Sequence, residues 1–463
     1  MRTDIGRAFG RCALGLMLVV GPLAAAKAQA PVQDLQLLHE LVEQVSAARL
    51  EADIRTLVGF GTRHTASETE SETRGIGEAR RWIKAEFERI GAANGGNLDV
   101  FYVSREIKGE RRLPGATEVV SVVALQRGSL DPERMLLMSG DIDSRVTDVM
   151  DATSDSPGAN DNASGVAGVL EAARVLGQHS FAGSILFVAL AGEEQGLFGG
   201  QIVADFALEE GWRIKAVLNN DMIGNIEGID GVIDNSTARV FSEGTRATET
   251  EREARQRRFS GGEVDSPSRN LARFIDRQAD RYLPNLDVML VYRLDRFGRG
   301  GHHSPFNDRG IPGVRLMETH EHYARQHQDL REEDGVRYGD LIEGVNFDYV
   351  RKLTALNVVS LAEMALAPPF PSRVQIKGAV KPSTSLSWAK AEGPEAENLA
   401  GYRLHWRRTD APQWTHARFV GLVNEFTLKN VVIDNYYFGV SAVAKDGAET
   451  PVVFPGAAGS FGD

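Results

Sequence analysis

The chain has 463 residues, 42% hydrophobic and 25% charged, an ordinary globular balance that excludes wholesale disorder. Its formal charge of −12 lacks the basic footprint of a general nucleic-acid binder. A single cysteine, Cys12, rules out a disulfide within the chain.

Residues 1–30 read as a secretory signal. Arg2, Arg7 and Arg11 make a basic start, residues 12–26 are mostly apolar but broken by Gly21 and Pro22, and Ala28-Gln-Ala30 is a small-x-small cleavage site. Cleavage after Ala30 predicts a secreted or periplasmic protein with no stable membrane span. It also removes Cys12, so any metal must be held by carboxylates and imidazoles.

Helical spacing of Leu35, Leu38, Leu41, Val42 and Val45 predicts one or two amphipathic helices over 32–57, and Ile76, Ala79, Ile83 and Phe87 predict another over 74–90. Short apolar runs at 98–103, 119–125 and 135–138 read as strands. A helix over 163–176 buries Val166, Val169, Leu170, Ala173 and Leu176, with Asp161 or Asn162 placed to cap it. The run 184–190 suits a strand covered on both faces, followed by a helix over 199–208 and a strand over 214–218. This alternation predicts an α/β fold, a mostly parallel mixed sheet with helices on both faces. The pattern weakens over 227–287, then gives strands at 288–291 and 313–317 and a closing helix over 349–365.

The stiff Ala367-Pro-Pro-Phe-Pro371 marks a boundary. Beyond it, short strands separated by turn residues predict a small all-β sandwich. The expected organisation is a leader at 1–30, an α/β domain at 31–367, a linker at 368–372 and the sandwich at 373–463. Leu386-Ser-Trp388, Gly401-Tyr-Arg-Leu-His-Trp406 and the alternation from Tyr436 to Ala442 make this tail resemble a fibronectin type III domain, with Tyr436 as its tyrosine corner.

Four acidic signals follow strands or open helices: Ser139-Gly-Asp-Ile-Asp-Ser144, Gly158-Ala-Asn-Asp-Asn-Ala-Ser-Gly165, Ala191-Gly-Glu-Glu-Gln-Gly196 and Asn219-Asn-Asp221. A fifth, Gly300-Gly-His-His-Ser-Pro-Phe306, adds imidazoles. Open α/β sheets bind ligands beyond the carboxyl ends of their strands, and carboxylates gathered there need a cation between them. No Gly-x-Ser-x-Gly, P-loop or His-Glu-x-x-His is present, which leaves a serine elbow, phosphate cradle or helical zinc motif without support.

The order of these signals resembles the co-catalytic di-zinc aminopeptidase family, metallopeptidase family twenty-eight, over about residues 50–366; its members include single-zinc glutaminyl cyclases. The resemblance implies two divalent ions, zinc by family habit, and peptide substrates with a free N-terminus. It makes Asp161 the bridging ligand, Glu194 and His303 the other ligands of one ion, and Asp221 a ligand of the second. Glu193 would be the general base. His327-Gln-Asp329 resembles the family's closing segment. Two departures stand out: Asp141 replaces the family's first histidine, and His302-His303 replaces its Asp-His. An all-carboxylate site of Asp141, Asp161 and Asp221 would favour harder ions such as manganese. Asp143 loses the imidazole it would orient. Arg145 is expected to offset Asp141 and Asp143, and His302 to face the acid-rich site. Two alternatives stay open: a single-metal glutaminyl cyclase-like enzyme, and a catalytically impaired secreted binding protein that works through its C-terminal sandwich.

Overall fold

Strand and helix alternate from Leu98 onward, and the computed structural model, which describes residues 30–462, gathers eight of the strands into one sheet. The leader and Cys12 lie outside the described residues. The strands are β1 (Leu98–Ile107), β2 (Thr117–Gln126), β3 (Asp131–Asp141), β4 (Gly183–Leu190), β5 (Arg213–Asn220), β6 (Thr237–Ser242), β7 (Asp287–Val291) and β8 (Gly313–Glu318). Their spatial order is β1-β2-β4-β3-β5-β8-β6-β7. The central pairs β3/β4, β3/β5 and β5/β8 are parallel, as is β6/β7, while β1/β2, β2/β4 and β6/β8 are antiparallel.

Every residue of β4 is buried, as its unbroken apolar run requires. The helices are α1 (Gln36–Gln44), α2 (Ala47–Gly59), α3 (Gly75–Ala93), α4 (Gly165–Leu176), α5 (Glu193–Gly196), α6 (Phe198–Glu209), α7 (Glu251–Ser260), α8 (Pro267–Tyr282), α9 (His303–Asp308) and α10 (Phe347–Leu366). The predicted region 32–57 is thus two helices, divided where the Ser46 side chain accepts the Arg49 N–H and caps the second. Helices α4 and α10 pack against β3 and each other. The β3–α4 approach is so close that a side chain at Gly140 would meet the Gly165 backbone at 2.4 Å. The sequence pattern misses β6, a six-residue strand without a continuous apolar run.

A hairpin, β9 (Arg331–Glu333) with β10 (Val336–Tyr338), precedes α10. The tail forms two three-stranded antiparallel sheets, consistent with a small sandwich. One holds β11 (Gln375–Lys377), β12 (Thr384–Ser387) and β15 (Glu425–Leu428); the other holds β13 (Leu399–Arg408), β14 (His416–Gly421) and β16 (Tyr436–Ala444). Strand β14 escapes the sequence reading because half of it is exposed and it carries no unbroken apolar run.

The tail is docked by buried charge. Asp265 receives Arg273 from α8 at 3.0 Å and Arg407 from β13 at 2.8 Å. Nearby, the Glu449 N–H donates to Glu363 on α10 at 3.1 Å.

Candidate metal centre

Three strands deliver acids to one edge of the sheet. Beyond β4, Gly192 adopts φ +75°, a left-handed turn glycine enters without strain, and the chain reverses into the short α5. Asp143, just past β3, accepts the N–H groups of Glu193 at 3.1 Å and Glu194 at 3.0 Å. These bonds fix both glutamates. Asp143 therefore serves backbone amides here.

Asp161 lies in the turn before α4, whose first amide, Gly165 N–H, bonds to Asn162 Oδ1. Asn162 does the local bonding and Asp161 is left facing a cleft. The carboxylate of Asp340 accepts the Asn160 and Asp161 N–H groups and holds the turn.

Across the cleft, His327 Nε2 lies 2.9 Å from Asp161 Oδ2 and 2.8 Å from Glu194 Oε1. Among the described residues these three form the one group of acids and imidazoles whose donor atoms fall within 4.8 Å of one another. His327 has φ +54°, an uncommon conformation for a residue with a side chain, of the kind that clusters at functional sites. Against the cost of burial, Glu194 and Asp161 raise the imidazole to about 9. Arg145 lies 3.1 Å from Glu194 Oε2 and 2.9 Å from His327 Nδ1. Two carboxylate oxygens and one imidazole nitrogen, converging beside open space, match the donor set of a catalytic zinc with its fourth position to the cleft.

Two expectations need correction. His303 does not join Glu194. It opens α9, which packs against α6 and β8, and its buried ring places Nε2 2.8 Å from the Leu294 carbonyl and 3.7 Å from Asp295. The imidazole at Glu194 is His327, from the segment noted above only for its likeness to the family's end. Arg145 is likewise not the partner of Asp141 and Asp143, because its guanidinium reaches Glu194.

The Asp141, Asp161 and Asp221 trio does not converge into one donor group. Asp141 Oδ1 meets His302 Nδ1, and its Oδ2 accepts from Asn162 Nδ2 at 2.7 Å. Asp221 Oδ2 lies 2.9 Å from Nη2 of Arg315, a fully buried arginine of β8 that the sequence reading does not single out. Burial pushes Asp141 and Asp221 each up to about 8, with Arg315 opposing both shifts.

Glu193 is half-buried, and among the described residues its carboxylate has no hydrogen-bond or ion-pair partner. Burial, then the charge of Glu194, pushes it well above the usual range. It lines a cleft of about 720 Å³ with Asp161, Glu194, Asp221 and His327. Five arginines share that wall: Arg111, Arg112, Arg145, Arg296 and Arg299.

The model of peptidase family M28 matches residues 121–338, which include Asp141, Asp161, Glu193, Glu194, Asp221 and His327. A probable zinc metalloprotease of Leptosphaeria maculans is 42% identical over 427 residues, 92% of this chain and 97% of its own length. The chain belongs to peptidase family M28. Another probable zinc metalloprotease, from Pyricularia oryzae, is 42% identical over 92% of this chain and 85% of its own. Among solved structures, the LapA aminopeptidase of Legionella pneumophila aligns at TM-score 0.52 and 19% identity, covering 80% of this M28 chain and 81% of its own. LapB from the same organism aligns at 0.53 and 19%, over 74% and 78%. Both likenesses concern the fold.

Proposed function

We propose that this M28 chain is a secreted, metal-dependent exopeptidase that releases residues from the free N-termini of peptides. The observation that carries the reading is the convergence of Asp161, Glu194 and His327 beside Glu193, whose carboxylate has no hydrogen-bond or ion-pair partner among the described residues. The description of the relatives as zinc metalloproteases, and of LapA as an aminopeptidase, supports hydrolysis. A bound zinc ion would supply Lewis acidity toward a scissile carbonyl and toward water.

The chain's own residues have defined tasks. Asp143 holds the Glu193-Glu194 backbone in place, so the two carboxylates keep different roles side by side. Glu194 faces His327 and Arg145, whereas Glu193 faces the cleft with its oxygens open to accept a proton from water and pass it to the leaving amine. Asp340 positions Asp161 through its amide. The arginine wall favours substrates with a carboxylate near the scissile bond: Arg111 and Arg299 have no ion-pair partner among the described residues, and guanidinium groups pair well with carboxylates.

That a single donor group is assembled favours a second reading, a glutaminyl cyclase-like enzyme using one ion. The deciding experiment offers the purified protein amino-acid p-nitroanilides (leucyl, aspartyl and glutamyl, unblocked and N-acetylated) and an N-terminal glutamine peptide. Release from unblocked substrates only, abolished by a chelator and restored by zinc, is the expected result, with acidic residues preferred over leucine. Cyclisation of the glutamine peptide without p-nitroaniline release would overturn it in favour of the cyclase.

A further inference from the structure

The side chain of Arg315 lies where the sequence calls for a metal ion. It is fully buried, its Nη2 is 2.9 Å from Asp221 Oδ2, and its Nε donates to the Asp221 carbonyl at 2.5 Å. Its Nη1 reaches Asp295 at 3.1 Å and the Gly300 carbonyl at 2.6 Å. Gly301 makes room for it: a side chain there would stand 3.1 Å from Nη1. Asp141, the other expected ligand, spends one oxygen on His302 and the other on Asn162.

We propose that Arg315 takes the place of the first ion, so that this M28 centre carries one ion, at Asp161, Glu194 and His327. The inference rests on the metal-dependent reading above for that one ion. The guanidinium cannot lose its charge and, being planar with five donors, satisfies Asp221, Asp295 and a carbonyl at once. Asp141 and Arg315 then belong together. With an arginine on β8 the first position needs no neutral imidazole ligand, and an acid bonded to His302 and Asn162 takes its place. A fixed guanidinium also has consequences for substrate. It has no open coordination position for an amine, so recognition of a free N-terminus falls to Glu110, an acid of the cleft wall outside the base and the donor group. Arg315 is a positioning residue: it holds Asp221 and adds fixed positive charge behind Glu193.

The test is metal stoichiometry, measured by equilibrium dialysis of the full mature chain against zinc and, separately, cobalt, with mass-spectrometric counting. The wild type should bind one ion at saturation, and H327A none at the same free concentration. The double variant D141H/R315M, which restores an imidazole and removes the guanidinium, should bind two, and its melting temperature should rise with added zinc beyond the wild-type rise. Arg315→Lys, which keeps a cation in place, should still bind one. Two ions in the wild type would overturn the Arg315 inference and leave the metal-dependent reading intact. No ion in the wild type would overturn the metal-dependent reading, and the inference with it. One ion in a D141H/R315M protein with a native circular-dichroism spectrum would also overturn the inference; were that variant unfolded, the wild-type and R315K counts decide.

Discussion

The acids at the carboxyl edge of the sheet form two neighbouring groups that meet their charge in opposite ways. Around Asp221 and Asp141 the chain provides its own partners: Arg315, His302 and Asn162 engage the carboxylates, which are almost wholly buried. Around Asp161 and Glu194 the donor atoms converge on a cleft, and the proton that His327 Nε2 shares with the two carboxylates is one an incoming metal can displace. The same residue type is bound into a charge network in the first case and left as a group of converging donors in the second. What separates them is whether a strand delivers a buried arginine to the carboxylates.

The sharpest way to break this comparison is His327→Ala. It should abolish ion binding and lower kcat/KM by about 10³–10⁴, because an ion supplies several kcal/mol of transition-state stabilisation; metal counting with steady-state kinetics checks it. Glu193→Gln should lower kcat by about 10²–10³ while the ion stays bound, separating proton transfer from metal retention. Next comes Asp143→Ala, which frees the amides of both glutamates. A fall of about 10–100-fold in kcat, with a smaller change in KM, is expected from the loss of such outer support.

The smallest effect concerns a buried acid outside both groups, which shows what Asp221 would face without its arginine. Asp53 on α2 is 5% exposed, and Arg49 lies 3.6 Å from its carboxylate. Burial raises it to about 6, with Arg49 only partly opposing. Its folded value lies above the unfolded value of about 4, so the native state holds the extra proton, and stability falls as pH rises from about 4 to about 6. Asp53→Asn should flatten that slope and raise stability at neutral pH by about 1–3 kcal/mol, read from denaturation midpoints across pH.

The sheet and most helices were legible because their burial is periodic: β4 is one apolar run and α4 one stripe. Strands β6 and β14 were not, since a short or exposed strand leaves no such trace. At the centre, Asp161 and Glu194 stood out because acids after strands are conspicuous. His303 misled because the resemblance assigns it to the ion at Glu194, yet this histidine opens a packed helix and its ring is buried there. The His327-Gln-Asp329 segment held the missing signal, an imidazole shortly before the hairpin. Arg315 was illegible: within Gly313–Glu318 it reads as a polar residue of an ordinary strand, and only the sheet order, which sets β8 beside β5, brings it to Asp221.

The salt-bridged triad of Asp265, Arg273 and Arg407 has a bearing on how this protein can be taken apart. Its members come from the α/β layer and the C-terminal sheets, and all three are almost wholly shielded from water. Trimming the chain at the proline-rich segment after α10 would strip one guanidinium from Asp265 and uncover the other pair, along with the carboxylate of Glu363. The tail is thus a keystone for the helices behind β6–β8, and an enzyme shortened to its peptidase half would begin life with a wound in its back.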